Sequence, residues 1–140
     1  MIAISETHLS DSIDDCEVFI DTFVTLRNDR HIGGRFGGGV LIYATSSLNP
    51  VQIKINYHNL ECMFIQVTLL NKRIIFGVVY KPPGQNVRAV DNFVNYFSDI
   101  LENLYSLNIP IIIIMGDFND RTDDWLGVHQ TVNLGLSFMI

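Results

Sequence analysis

The sequence predicts an α/β sandwich built on mixed sheets, and three observations carry that prediction. Up to Tyr80 the apolar residues come in short runs of strand composition, broken by Asn, Gly, Pro or charge. From Val87 to Leu107 the apolar period changes from that of a strand to that of a helix. A wholly apolar run, Ile111 to Met115, then follows Pro110. Several strands, one long helix and a final strand call for sheets with a helix packed on them.

Each element has its own signal. Met1 to Ser5 reads as a short buried strand that ends beside Glu6. Thr7 to Glu17 is polar and predicts a loop with one helical turn. Val18 to Leu26 has strand composition, Arg27 to Gly39 is a charged, glycine-rich connection, and Val40 to Ser47 resumes as a strand. In "VQIKINY", Val51, Ile53, Ile55 and Tyr57 alternate with Gln52, Lys54 and Asn56, the period of two that marks a strand. "ECMFIQVTLL" and "RIIFGVVY" predict two more strands joined by a tight turn at Asn71-Lys72, and "KPPGQN" breaks the sheet because two prolines cannot continue a central ladder.

In the helical segment Val90, Val94, Phe97, Leu101 and Leu104 recur at spacings of four and three, with Phe93 and Ile100 widening the stripe and Asn86 placed to cap it. Ile111 to Met115 is too apolar for a one-sided strand and predicts a central strand covered on both faces. From Arg121 onward the chain is weakly patterned and its structure is left open.

The length of 140 residues suits one domain, and a 48% hydrophobic, 17% charged composition supplies a core and argues against general disorder. No apolar run reaches the roughly 18 residues of a membrane span, and Met1 is not followed by the basic start and long apolar stretch of a secretory signal. The expectation is an intracellular protein, the nucleus included, with no membrane partner. Cys16 and Cys62 lack CxxC spacing and read as two reduced, partly buried thiols rather than a disulfide or zinc site. A net charge of −6 with nine scattered basic residues gives no basic stripe for nucleic acid. A protein of this charge that handles phosphates needs a divalent cation or a basic surface elsewhere.

The chemistry is concentrated where "IIIIMGDFND" leaves its apolar run. In an extended segment Asp117 and Asn119 point the same way while Phe118 turns back to the core. Gly116 permits a sharp exit or the close approach of a ligand. A carboxylate beside a carboxamide suits water activation, the acid taking the proton and the amide steadying a developing oxyanion. The competing reading is a turn cap, a common use of Asp and Asn after a strand.

Glu6 is a second acid at a predicted strand end. Its hard oxygens suit Mg²⁺, which takes one or two carboxylates and keeps several waters; taken singly it also reads as a surface acid. Tyr80, held by Lys81-Pro82-Pro83, offers a phenol for a phosphate or its attacking water, or is an amphipathic edge tyrosine. "GGRFGGG" lacks the Lys-Ser or Lys-Thr and the helix of a phosphate loop, so a flexible hairpin connection explains it better. His8 reads as a loop histidine, and His31, His58 and His129 have no partners at metal-site spacing.

Taken in order, "ISETHL", "FGGGVLIY", "LECMFIQV", "GVVYKPPG" and "IIIIMGDFND" resemble the endonuclease/exonuclease/phosphatase superfamily, most closely the apurinic-endonuclease-like domain of non-LTR (LINE-type) retrotransposons. The resemblance runs from Ile4 to about Trp125, and it is the ordered set that is specific, not any one motif. It implies a four-layer α/β sandwich that cleaves DNA phosphodiester bonds with Mg²⁺ or Mn²⁺. It assigns Glu6 to the metal, Tyr80 to the phosphate region, Asp117 to the attacking water and Asn119 to the transition state, with Lys81 as a further phosphate contact. A reverse-transcriptase region in the parent protein is part of the same implication.

The pattern departs from the family at both ends. An earlier strand with a metal-site asparagine and a late Ser-Asp-His-like segment are not in this sequence, so the expectation is a partial domain with impaired activity. Two alternatives stay open: a non-catalytic remnant that is inert or binds a partner, and a phosphatase or phosphodiesterase of the same superfamily acting on a small phosphorylated substrate.

Overall fold

A computed structural model of the chain describes residues 1–30 and 37–119. The strands form two sheets. In the first, β1 (Ile2–Ser5), β3 (Val40–Thr45) and β2 (Phe23–Asn28) lie in that order, all antiparallel. In the second the order is β4 (Val51–Gln52), β5 (Glu61–Leu69), β6 (Lys72–Tyr80) and β7 (Ile112–Asp117), antiparallel except for the parallel β6–β7 pair. That parallel pair needs a crossover, and α1 (Val87–Ser106) supplies it. The fold is α/β, as the sequence predicts.

Alternation along β5 and β6 separates two cores. Met63, Ile65, Val67, Val78 and Tyr80 face the first sheet and meet Val40, Ile42 and Ala44 there. Cys62, Phe64, Ile75 and Val79 face the other way and meet Phe93, Ile100 and Leu104 of α1. Burying each large aliphatic or aromatic side chain of this kind contributes about 1.5–3 kcal/mol, so the second sheet, packed on both faces, anchors the domain. The outer face of the first sheet is covered by the segment before β2: the Tyr43 hydroxyl donates to the Val18 carbonyl at 2.6 Å, and Arg27 reaches Ser10 O at 3.1 Å and Asp15 at 3.2 Å. A 3-10 turn at Asp15–Val18, capped by Asp14, is the helical turn expected there.

Several boundaries differ from expectation, each for a physical reason. β2 begins at Phe23, not Val18, because Thr22 is left-handed (φ 71°) and Phe23 N bonds back to Ile20 O at 3.1 Å, leaving Phe19 and Ile20 exposed. Only Val51 and Gln52 of "VQIKINY" pair in a ladder; Ile53, Ile55 and Tyr57 still pack against the helix-side core. The alternation there records burial, whereas a strand also needs a partner. The β5–β6 turn is Leu70-Asn71, one residue earlier than expected, with both residues left-handed (φ 49° and 60°) as a two-residue type I′ turn requires.

The helix matches its expected span, and the Asn86 side chain caps it by accepting from Ala89 N at 2.9 Å. Its buried face is centred on Phe93, Ile100 and Leu104, with Val94 turned outward. β1 is not a buried strand: Ala3 packs inward, but Ile2 and Ile4 are exposed. β7 is likewise an edge strand among the described residues, not a central one, with Ile112 to Ile114 half-buried and Met115 exposed. No described helix is long and apolar enough to cross a membrane.

Candidate active site

Three strand ends meet at one rim of the two sheets. β6 finishes at Tyr80 and β7 at Asp117, and the parallel register makes these two residues direct neighbours. β1 finishes at Ser5, after which Glu6 adopts a left-handed conformation (φ 54°). The turn brings its carboxylate to the Tyr80 hydroxyl, which donates to Glu6 Oε1 across the gap between the sheets. The segment is steadied by His8 N donating to Gly38 O at 2.9 Å and Thr7 N donating to Gly39 O at 3.3 Å.

Tyr80 is 3% exposed, so its ring belongs to the core while its oxygen reaches the rim. Burial, then the hydrogen bond and the negative charge of Glu6, push the phenol up to about 12 against an opposing pull from Arg30. At neutral pH Tyr80 is therefore a fixed donor and Glu6 its acceptor.

The "GDFN" segment is built differently from a simple extended strand. Asn119 is left-handed (φ 47°), and a turn, not strand alternation, brings its side chain to Asp117. Asn119 N donates to Asp117 Oδ1 at 2.9 Å, and Asn119 Nδ2 donates to Asp117 Oδ2 at 3.2 Å and to Lys81 O at 2.9 Å. Asp117 thus caps a turn and still sits exposed beside the amide group. Phe118 turns back as expected, its ring edge-on to Phe93 and Phe97 at 6.4 and 6.1 Å. Gly116 serves a close approach, but by protein: a Cβ there would lie 1.8 Å from the Val79 carbonyl oxygen. Lys81, read from sequence as a phosphate contact, is 6% exposed, and its ammonium donates to Phe118 O at 3.1 Å.

Two residues of this rim had no sequence assignment. Glu61 opposes Tyr80 across the antiparallel β5–β6 ladder, so Glu61, Tyr80 and Asp117 form one row across three strands. Glu61 is buried, accepts from Arg30 through Nε at 2.8 Å and also through a second guanidinium nitrogen, and accepts from Gly39 N at 2.5 Å. This pair explains part of the glycine-rich connection. Gly38 is left-handed (φ 78°), and a Cβ there would lie 2.1 Å from Glu61 Oε2 and 2.4 Å from an Arg30 nitrogen. The signal in the sequence was the hairpin register, which sets an acid at the head of one strand opposite a tyrosine at the foot of the next.

The remaining candidates lie apart from the row. His58 stacks on Tyr96 at 4.8 Å and lies 3.8 Å from Asp99. His8 is exposed. His31, His129, Gly33 to Phe36 and the segment from Asp120 onward fall outside the described residues. Both cysteines are free; Cys16 is exposed rather than partly buried, and burial pushes the Cys62 thiol up to about 12.

Among the described residues no group of three or more His, Cys, Asp and Glu side chains could hold a metal ion. The donor set fits a hydrated hard cation in kind: Glu6 is an exposed carboxylate with one oxygen taken by Tyr80, and Mg²⁺ commonly binds through one or two carboxylates and keeps its waters. Compared with models of protein families and with curated proteins, the chain finds no match.

Proposed function

We propose that the chain is a metal-dependent phosphodiester hydrolase acting on DNA, of the retrotransposon endonuclease type that its motifs resemble. One observation carries the reading: Tyr80 holds Glu6 by a hydrogen bond between the sheets while the strand register sets Asp117 at its side. Residues far apart in the sequence, each a motif member, thereby share one exposed rim.

In this reading Glu6 would hold a Mg²⁺ or Mn²⁺ ion, which when bound supplies positive charge to the phosphate and to the departing oxygen. Tyr80 gives its single hydroxyl hydrogen to Glu6, which fixes the carboxylate beside the phosphate region, and keeps an oxygen lone pair for a water there. Asp117 orients a water molecule and takes one of its protons as the water oxygen bonds to phosphorus. The opposite P–O ester bond breaks, its electron pair leaves on the sugar oxygen, and that oxygen takes a proton from solvent. Asp117 then returns its proton to solvent, closing the balance. Asn119 holds the Asp117 carboxylate through its backbone N–H and Nδ2, and once Asp117 takes the proton the Nδ2 hydrogen that held Oδ2 turns to the charge that develops on phosphate oxygen. An intracellular, nuclear setting and a reverse-transcriptase region in the parent protein belong to the same proposal.

The two hydrogen bonds from Asn119 to the Asp117 carboxylate favour a second reading, a non-catalytic fold in which Asp117 only caps a turn. A carboxylate has about four lone-pair sites, so two bonds leave room for a water. Incubation with supercoiled plasmid and Mg²⁺ decides between them. Nicking that is abolished by Asp117→Ala and by a chelator supports the hydrolase. Absence of nicking, or nicking that survives Asp117→Ala, sinks it, and parallel assays on small phosphate mono- and diesters test the remaining alternative.

A further inference from the structure

Lys81 follows Tyr80 directly and carries an ammonium on a four-carbon stem, the equipment of a phosphate contact. Its surroundings point elsewhere. The residue is 6% exposed, and its three polar groups are all turned to the segment that bears Asp117. Its backbone N–H donates to Asp117 O at 2.9 Å, continuing the parallel ladder by one rung. Its carbonyl accepts from Asn119 Nδ2 at 2.9 Å. Its ammonium donates to Phe118 O at 3.1 Å, the peptide oxygen between the two candidate catalytic residues.

We infer that Lys81 is a positioning residue for Asp117 and Asn119, holding the turn between them, and that it makes no phosphate contact; as a statement about catalysis this rests on the hydrolase reading above. The physical need for such a residue is local. β7 is an edge strand among the described residues, and the left-handed Asn119 leaves it immediately after Asp117. Beyond the last ladder rung the Phe118 ring and Lys81 tie the segment down from outside. The backbone bonds of Lys81 hold Asp117 and the Asn119 amide, and they remain whatever side chain stands at position 81. The ammonium alone reaches the peptide group between them. It is charged, and a charged hydrogen bond is about twice as strong as a neutral one. A pivot of the Phe118 peptide would rotate Asn119 away from Asp117, and that pivot is what the ammonium opposes.

A phosphate contact and a positioning residue differ in measurable ways. A lysine that neutralises a DNA phosphate releases counterions, so removing it weakens binding and lowers the slope of log affinity against log salt by about 0.9. A lysine that holds a turn leaves both unchanged and acts on the geometry of the turn.

The experiment compares the full chain with Lys81→Met, which keeps the stem in its buried slot, and with Lys81→Arg, which keeps the charge. Hydrogen exchange at the Asn119 amide, read by NMR without DNA or metal, is expected to speed up about five- to tenfold in Lys81→Met and to recover in Lys81→Arg. Exchange at Phe76, on the same sheet, is expected to stay as in the wild type. In plasmid nicking with Mg²⁺, kcat is expected to fall at least tenfold with KM and the salt slope unchanged. An unchanged Asn119 exchange rate overturns the inference, as does a salt slope reduced by about 0.9. Exchange reads the turn directly, so faster exchange in a chain that never nicks DNA sustains the positioning role and removes the hydrolase reading. Should Lys81→Met fail to fold, Lys81→Gln gives the same comparison with a side chain that can still donate weakly, and an intermediate exchange rate is then expected.

Discussion

The link between Glu6 and Tyr80 is the contact most open to test, because one atom makes it. Tyr80→Phe deletes the hydroxyl and keeps a ring that is 3% exposed and packed among Val40, Ile42 and Met63. A hydrogen bond to a charged group contributes about 1.5–3 kcal/mol, but Glu6 is exposed and regains water when its donor is lost. The expected destabilisation at neutral pH is therefore about 1 kcal/mol. The pH dependence is more specific. The phenol is pushed up to about 12 in the folded chain from an unfolded value near 10, so the folded state favours its protonated form. The associated stability is fully present below pH 10 and declines as pH rises toward 12, by at most about 2–3 kcal/mol over that window. Burial also raises Tyr57, which adds a smaller decline of the same sign. Urea denaturation of wild type and Tyr80→Phe at neutral pH and at two alkaline points measures both effects. The alkaline loss should shrink by about 2–3 kcal/mol in the variant, while the part that comes from Cys62, pushed from 9.0 to about 12, and from Tyr57 remains. If Tyr80→Phe loses as much stability with rising pH as the wild type does, the account of this bond is wrong.

Two further outcomes follow from the neighbouring groups. Arg30→Met should cost about 3 kcal/mol in the same urea assay, because among the described residues it leaves the buried Glu61 carboxylate with the Gly39 amide as its one donor. A charge-restoring Arg30→Lys should recover only part of this, since a single ammonium cannot reproduce two guanidinium bonds. Thiol labelling under native conditions should modify Cys16 within the mixing time and spare Cys62 until the chain unfolds, because Cys62 is buried and its thiol is held protonated. Equal rates at the two positions would show that the helix-side core is open.

Much of the architecture was legible in periodicity. The α1 stripe and its Asn86 cap are local signals, and local hydrogen bonding satisfied them. β5 and β6 were legible because both faces of each are buried and their composition says so. What pairs with what was less legible. "IIIIM" is apolar enough for a central strand, yet its place in the sheet depends on which strands flank it, and nothing within five residues encodes that. "VQIKINY" alternates because one side meets the core, and the pattern has no way to show that the ladder stops at Gln52. The site depended on a finer detail. With the turn at Asn71-Lys72, Tyr80 would oppose Met63; with the turn one residue earlier it opposes Glu61. The acids and the tyrosine were visible as separate strand ends, but the Arg30–Glu61 pair and the burial of Lys81 arise only from tertiary packing.

The two halves of the candidate site ride on different sheets. Glu6 follows a strand of one, and Tyr80 and Asp117 end strands of the other, with Ile42, Met63 and Ile65 forming the bearing surface between them. A slide by a single residue along the strands would displace Glu6 from Tyr80 by about 3.3 Å, and reaction geometry is already sensitive to about 1 Å. Alignment of the site is thus a mechanical property of the interior, and a side chain that never meets solvent can throw it out of true by altering how the sheets seat on one another.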